Sequence, residues 1–208
     1  MDKQIDIWVA RTRGLYARGN WRAAEVLCRH ILAAMPHHPT ALLYGGLCTA
    51  RGTTVVNFRL NTAYNVAFDA MVLQYGAKGP SRAFLTFCTE GLRLLYDLTE
   101  EVLAGDGQLF LEEEDAGAHT KRHTLVALVT HTFLMKFQNF TIPTYAAALD
   151  GFFVEYIRLL CRLYENGPMD EETAKEDAAT LRAFAIPEGS KAKEWERRFL
   201  RLTATLLG

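Results

Sequence analysis

The sequence predicts an all-α protein of about nine helices arranged as antiparallel helical hairpins. Apolar residues recur at three- and four-residue intervals along nearly all of the 208-residue chain, and strand-like alternation is almost absent. Glycine and proline punctuation falls between the periodic stretches, leaving short connections. Short connections make successive helices neighbours, in a solenoid of stacked hairpins or an irregular bundle.

Each element has its own signal. Ile5, Trp8, Thr12 and Leu15 form one stripe of a first helix, interrupted only by Gly14. Gly19-Asn20 breaks the chain, and Trp21, Ala24, Cys28, Ile31 and Leu32 form the stripe of a second helix that Pro36 and Pro39 end. A third runs from about Thr40, its expected N-cap, to Ala50, and its Gly45-Gly46 pair permits close helix contact at a cost in propensity. Thr53 or Thr54 caps a fourth carrying Leu60, Ala63, Ala67, Phe68 and Met71, with Gly76 as its end. Gly79-Pro80-Ser81 opens a fifth whose buried side is Phe84, Leu85, Cys88, Leu92, Leu95, Leu98, Thr99 and Val102.

After Gly105 the acidic stretch 105–118 is the longest expected loop, and a sixth helix runs from about His119 to Phe140. Pro143 separates it from a seventh with Phe152, Phe153, Tyr156, Leu160 and Leu163 on a wide apolar face. Asn166-Gly167-Pro168 stops that helix. Asp170 caps an eighth that ends near Ile186-Pro187, and Ser190 caps a ninth with Trp195, Phe199, Leu202 and Leu206 inside. We read residues 1–208 as a single helical domain, with hairpins in 1–76 and longer packed helices in 77–208.

Half of the residues are apolar and the net charge is −1, which argues for an ordinary globular chain and against a general nucleic-acid binder. The N-terminus has no signal-peptide pattern, and no apolar run is long enough to span a bilayer, so residence in the cytoplasm is the expectation. Cys28, Cys48, Cys88 and Cys161 lack the close spacing of a disulfide framework or zinc site and read as reduced core thiols. Charge is uneven along the chain. Residues 1–65 hold eight Lys or Arg against three acids, whereas 97–115 hold eight acids and no base. Such an imbalance points to an acidic partner segment, on another protein or on a second copy of this chain.

Trp8, Leu15, Gly19, Trp21, Ala24, Ile31 and Pro36 stand in the order and spacing of a tetratricopeptide repeat, which this part of the chain resembles. Arg11 and Thr12 depart from the family's pattern. A second unit beginning near Pro39 is only partly matched, with Phe58 where a small alanine belongs and Ala70 where the closing proline belongs. The resemblance covers about a quarter of the chain. It implies a TPR-like α-solenoid at the N-terminus and a non-catalytic protein-interaction module whose first helices line a peptide groove. Carried over to this chain, the groove residues are Val9, Arg13 and Tyr16, then Leu43, Leu47 and Arg51. The Lys and Asn pattern with which some members clamp a chaperone's acidic tail is absent, since Val9 and Arg13 stand there.

Two other classes stay open. His119 and His123, four apart on one helix face and preceded by Glu112, Glu113, Glu114 and Asp115, are metal-ligand candidates for a helical enzyme, with Glu114 as the oxygen donor. Lys121 and Arg122 beside them oppose a bound cation, and the acids serve equally as helix N-terminal charges. The many Phe and Tyr of the later helices leave room for an apolar cavity, hence a small-molecule sensor. His131 reads as a core histidine and His37-His38 as an exposed loop. Nucleotide-binding glycine motifs and a nucleophile elbow are missing, and the only serines, Ser81 and Ser190, sit where caps belong. The expectation is therefore a non-enzyme without cofactor, metal or nucleic-acid partner, with homo-oligomerisation open.

Overall fold

The computed structural model describes residues 2–52, 56–79, 81–104, 150–166 and 171–206. Among the described residues there are eight α-helices and no strand. They are α1 (Asp2–Ala17), α2 (Trp21–Ala34), α3 (Pro39–Arg51), α4 (Val56–Lys78), α5 (Arg82–Ala104), α6 (Asp150–Asn166), α7 (Glu171–Ala183) and α8 (Lys191–Leu206). The chain divides into two compact units, 1–79 and 80–208. The expected helix at 119–140, its acidic leader and the caps Thr53, Thr54 and Asp170 lie outside the described residues.

In the first unit, α1 packs on α2 and α3, α2 on α3, and α3 on α4. The Gly19-Asn20 break is a Schellman turn. Asn20 N–H donates to Leu15 C=O (3.0 Å), Gly19 N–H donates to Tyr16 C=O (2.9 Å), and Gly19 takes the left-handed φ of 74°. Asn20 then caps α2 by accepting from Ala23 N–H at 3.3 Å. Ile5, Thr12 and Tyr16 of α1 are buried, as are Ala24, Cys28 and Ile31 of α2, while Trp8, Leu15, Trp21 and Leu32 are half-buried.

Two boundaries differ from expectation. His38, not Thr40, is the N-cap of α3; its Nδ1 accepts from Ala41 N–H at 3.3 Å, and Pro39 occupies the first helical position. Proline suits that position because the N–H it lacks would have had no helical partner. Helix α4 passes Gly76 and ends at Lys78, where Gly79 adopts φ 57° and donates its N–H to Tyr75 C=O at 2.6 Å. The left-handed residue that terminates the helix is Gly79, so Gly76 is simply an interior glycine.

The second unit is built on α6, which packs against α5 and α8, with α7 on α8. All eight residues expected on the inner side of α5 are buried. Five expected core residues of α6 are buried too, together with Ile157, Leu159, Cys161 and Tyr164, so α6 is covered around most of its circumference. The α8 stripe is displaced from expectation. Ala192, Glu196, Phe199 and Thr203 are buried, whereas Trp195 and Leu202 are half-buried. Glu196 is carried inside with Lys193, whose Nζ lies 2.5 Å from its carboxylate.

The half-buried Trp195 has a use. Arg158 of α6 stacks between Tyr96 of α5 (4.1 Å to the ring centre) and Trp195 of α8 (5.6 Å), and Arg198 covers Trp195 at 5.1 Å. Glu155 accepts from Arg158, and Glu165 accepts from Arg198. Arg162 of α6 pairs with Glu100 of α5. The alignment of 158 with 96 and of 162 with 100 means that α5 and α6 run parallel, with residue 151 level with about residue 89.

Candidate functional site

The groove residues inferred from the repeat resemblance are mostly committed to the fold. Leu43 and Leu47 are 1% and 0% exposed, and Tyr16 is 6% exposed, so all three are core residues and not groove lining. Their burial follows from the packing of α3 on three other helices of the unit. Arg51 is half-buried, with its guanidinium carbon 4.7 Å from the Trp21 ring centre and 5.4 Å from that of Tyr16. Its Nε donates to Tyr16 Oη at 2.8 Å, and Tyr16 meets Tyr44 edge-on at 5.2 Å. Held against the Trp21 and Tyr16 rings and hydrogen-bonded to the Tyr16 phenol, this arginine ties α3 to α1 and α2. Val9 is half-buried, and Arg13 is exposed and adds a positive field at His38.

The unengaged charge of the unit lies on another face. Trp8 of α1 approaches His30 of α2 with ring centres 6.2 Å apart, so α2 lies on the Trp8 flank of α1. Tyr16, which meets Arg51 and Tyr44, marks the flank facing α3. At about 100° of turn per residue, Ile7, Arg11 and Arg18 fall past Trp8 on the side away from Tyr16. On α2, Cys28 lies towards α3, its Cβ 3.5 Å from where Gly45 would carry one. Arg22, Val26 and Arg29 fall on an exposed side of α2, turned away from Cys28.

The exposed surface of the hairpin thus carries four arginines together with Ile7 and Val26, which are 58% and 43% exposed. Among the described residues, Arg11, Arg18 and Arg22 make no ion pair, and Arg29 has only Glu25 at 3.9 Å. The Arg18 guanidinium folds over Gly14, 3.7 Å from the site of the missing Cβ, which keeps that charge close to the helix surface. Sequence periodicity contained a trace of this surface, because Ile7 and Val26 are large apolar residues out of step with the buried stripes.

The metal candidates His119, His123 and Glu114 lie outside the described residues. Among the described residues, no three His, Cys, Asp or Glu side chains gather into a metal-binding group, and no helix is long and apolar enough to cross a membrane. Burial raises all four thiols, Cys28 to about 11 and Cys48 and Cys161 to about 12, with Cys88 higher still. A thiol so raised carries almost no thiolate near neutrality, which suits the core role and not nucleophilic catalysis. Neither a family model, nor a curated protein, nor a solved structure matches this chain.

Proposed function

We propose that the chain is a non-catalytic protein-interaction module of the cytoplasm, built at its N-terminus on a tetratricopeptide-like plan, that docks an acidic segment of a partner protein on the outer face of its α1–α2 hairpin. The observation that carries this reading is the arginine-rich exposed surface of the hairpin, with its two exposed apolar residues. Four guanidiniums without strong internal partners supply the long-range attraction and bidentate contacts that carboxylates favour, and Ile7 and Val26 supply apolar contact between them. The repeat plan is supported by the 16- and 14-residue antiparallel pair, by Ala24 at 0% exposure, and by α3 packing on both preceding helices. The docking surface differs from the groove that the plan implies, because Tyr16, Leu43, Leu47 and Arg51 are already occupied.

The test is fluorescence anisotropy of a labelled hexaglutamate peptide with the full chain, from low to high salt. Binding should weaken steeply with ionic strength. The triple reversal Arg11→Glu, Arg18→Glu, Arg22→Glu, which touches only exposed residues, should weaken it markedly. Affinity indifferent to salt, or unchanged in the reversal, overturns the reading. Sedimentation that finds a dimer dissociated by the same reversal replaces the acidic partner with a second copy of the chain.

A further inference from the structure

The second unit holds a groove of about 440 Å³ along the first half of α5, closed on one side by the start of α6. Its volume falls within the ordinary range for ligand pockets, roughly 300–1,000 Å³. Arg82, Thr86, Thr89 and Arg93 line it from α5. These residues are spaced four, three and four apart, so they form one straight row on the helix. Phe152 and Leu85 make the floor and are 2% and 6% exposed. Gly151 forms the opposite rim, where a Cβ would meet nothing within 4 Å.

The row has an order of donors and acceptors. Arg82 and Arg93, at the two ends, are exposed and make no ion pair among the described residues. Arginine is donor-only. Arg82 also sits at the first position of α5, where the helix dipole disfavours a cation and gives no structural return for it. The two central hydroxyls are the reverse. Thr86 Oγ1 donates to Arg82 C=O at 2.9 Å and Thr89 Oγ1 donates to Leu85 C=O at 2.8 Å, so each has spent its proton and offers the groove only lone pairs. Glu90 adds a carboxylate to the same middle section.

We propose that this groove binds an extended ligand with an anionic group at each end and N–H donors between them. The helical rise sets the α-carbons of Arg82 and Arg93 about 16 Å apart. An extended backbone advances about 3.3 Å per residue, and side chains an even number apart share a face. Carboxylates at positions one and five of a strand therefore lie about 13 Å apart on one side, within reach of both arginine side chains. The backbone N–H groups between them meet the threonine oxygens. The same chemistry is offered by an acidic peptide segment or by a free elongated dicarboxylate that carries amide N–H groups along its middle.

The probe is fluorescein-labelled acetyl-Glu-Gly-Gly-Gly-Glu-amide, titrated with the full chain at low salt. The peptide should bind, and Arg82→Ala and Arg93→Ala should each weaken it at least about tenfold, as expected for losing a charge-assisted contact. Acetyl-Glu-Gly-Gly-Glu-amide, whose carboxylates face opposite sides, should bind more weakly than the longer peptide. The triple reversal on α1 and α2 should leave the affinity unchanged, which separates this site from the hairpin face. Competition by succinyl-glycylglycine, a free dicarboxylate with two amide N–H groups, as strong as by the peptide assigns the site to free dicarboxylates, and weaker competition assigns it to a peptide. No binding of either probe at millimolar concentration, or affinity indifferent to both alanine variants, overturns the proposal.

Discussion

Gly45 and Gly46 are adjacent on α3, equally costly to helix propensity, and opposite in what their replacement by alanine does. A Cβ on Gly45 would rest 3.5 Å from Cys28 Cβ, an ordinary contact. A Cβ on Gly46 would fall 2.4 Å from Val66 Cγ1, 2.7 Å from its Cβ and 3.1 Å from its Cγ2. Valine has a single stiff χ1 and its Cβ moves only with the backbone, so α3 and α4 must separate. Either substitution gains about 1 kcal/mol of helix propensity. At Gly46 that gain is outweighed by overpacking of about 1–3 kcal/mol, with the Cβ clash placing it in the upper part of that range. Gly46→Ala is thus expected to destabilise the first unit by roughly 1–2 kcal/mol, and Gly45→Ala to stabilise it by up to about 1 kcal/mol. In a unit of this size those changes lower its melting temperature by roughly 5–15 °C and raise it by a few degrees. Thermal unfolding followed by circular dichroism, with urea unfolding as a check, measures both variants. Adding Val66→Ala to Gly46→Ala removes both Cγ contacts but not the Cβ contact, so it should restore part of the loss. The close-approach argument fails if the two alanine variants shift stability in the same direction.

Three further expectations follow from buried or capping groups. Burial lowers the His38 imidazole from its ordinary 6.5, so its stabilising contribution is complete above that value and lost as pH falls through the folded value. His38→Asn keeps a cap but does not titrate, and its stability should fall less than the wild type's between pH 7.5 and 5. Tyr164 Oη donates to the carboxylate of Asp177 at 2.8 Å, and Asp177 is 3% exposed; Tyr164→Phe should cost about 1–3 kcal/mol in urea unfolding, and a neutral result would show that the bond carries no weight. The buried, raised thiols should resist a maleimide at pH 7.5 in the native protein and all react in urea, so a native cysteine labelled at the denatured rate would contradict its place in the core.

Helical type was legible in the sequence because the periodic signal is local. All eight residues foreseen on the inner face of α5 are buried, with Phe87 beside them, since an amphipathic helix shows its buried side in its spacing. Helix α6 was foreseen only in part, because a helix covered on several sides has no polar face to mark its orientation. The α8 stripe was misplaced for a different reason. Trp195 is large and apolar but serves as a platform for Arg158 and Arg198, while Glu196 goes inside with Lys193. The same principle moved the candidate site. Arg51 reads as a free guanidinium in the sequence, and only the fold brings Tyr16, 35 positions away, and Trp21 against it.

The division of the chain after Gly79 also has a consequence in time. Every main packing pair of the first unit joins helices that are adjacent or one apart in the chain, whereas α5 must find α6 across residues 105–149. Low sequence separation between contacts speeds folding, and the first unit also leaves the ribosome first. Its helices are therefore expected to settle before the second unit is fully synthesised. The three tryptophans are placed to record this: Trp8 and Trp21 lie in the early unit and Trp195 in the late one. Stopped-flow refolding of the full chain with Trp195→Phe should then isolate a fast phase, and the variant retaining only Trp195 a slow one.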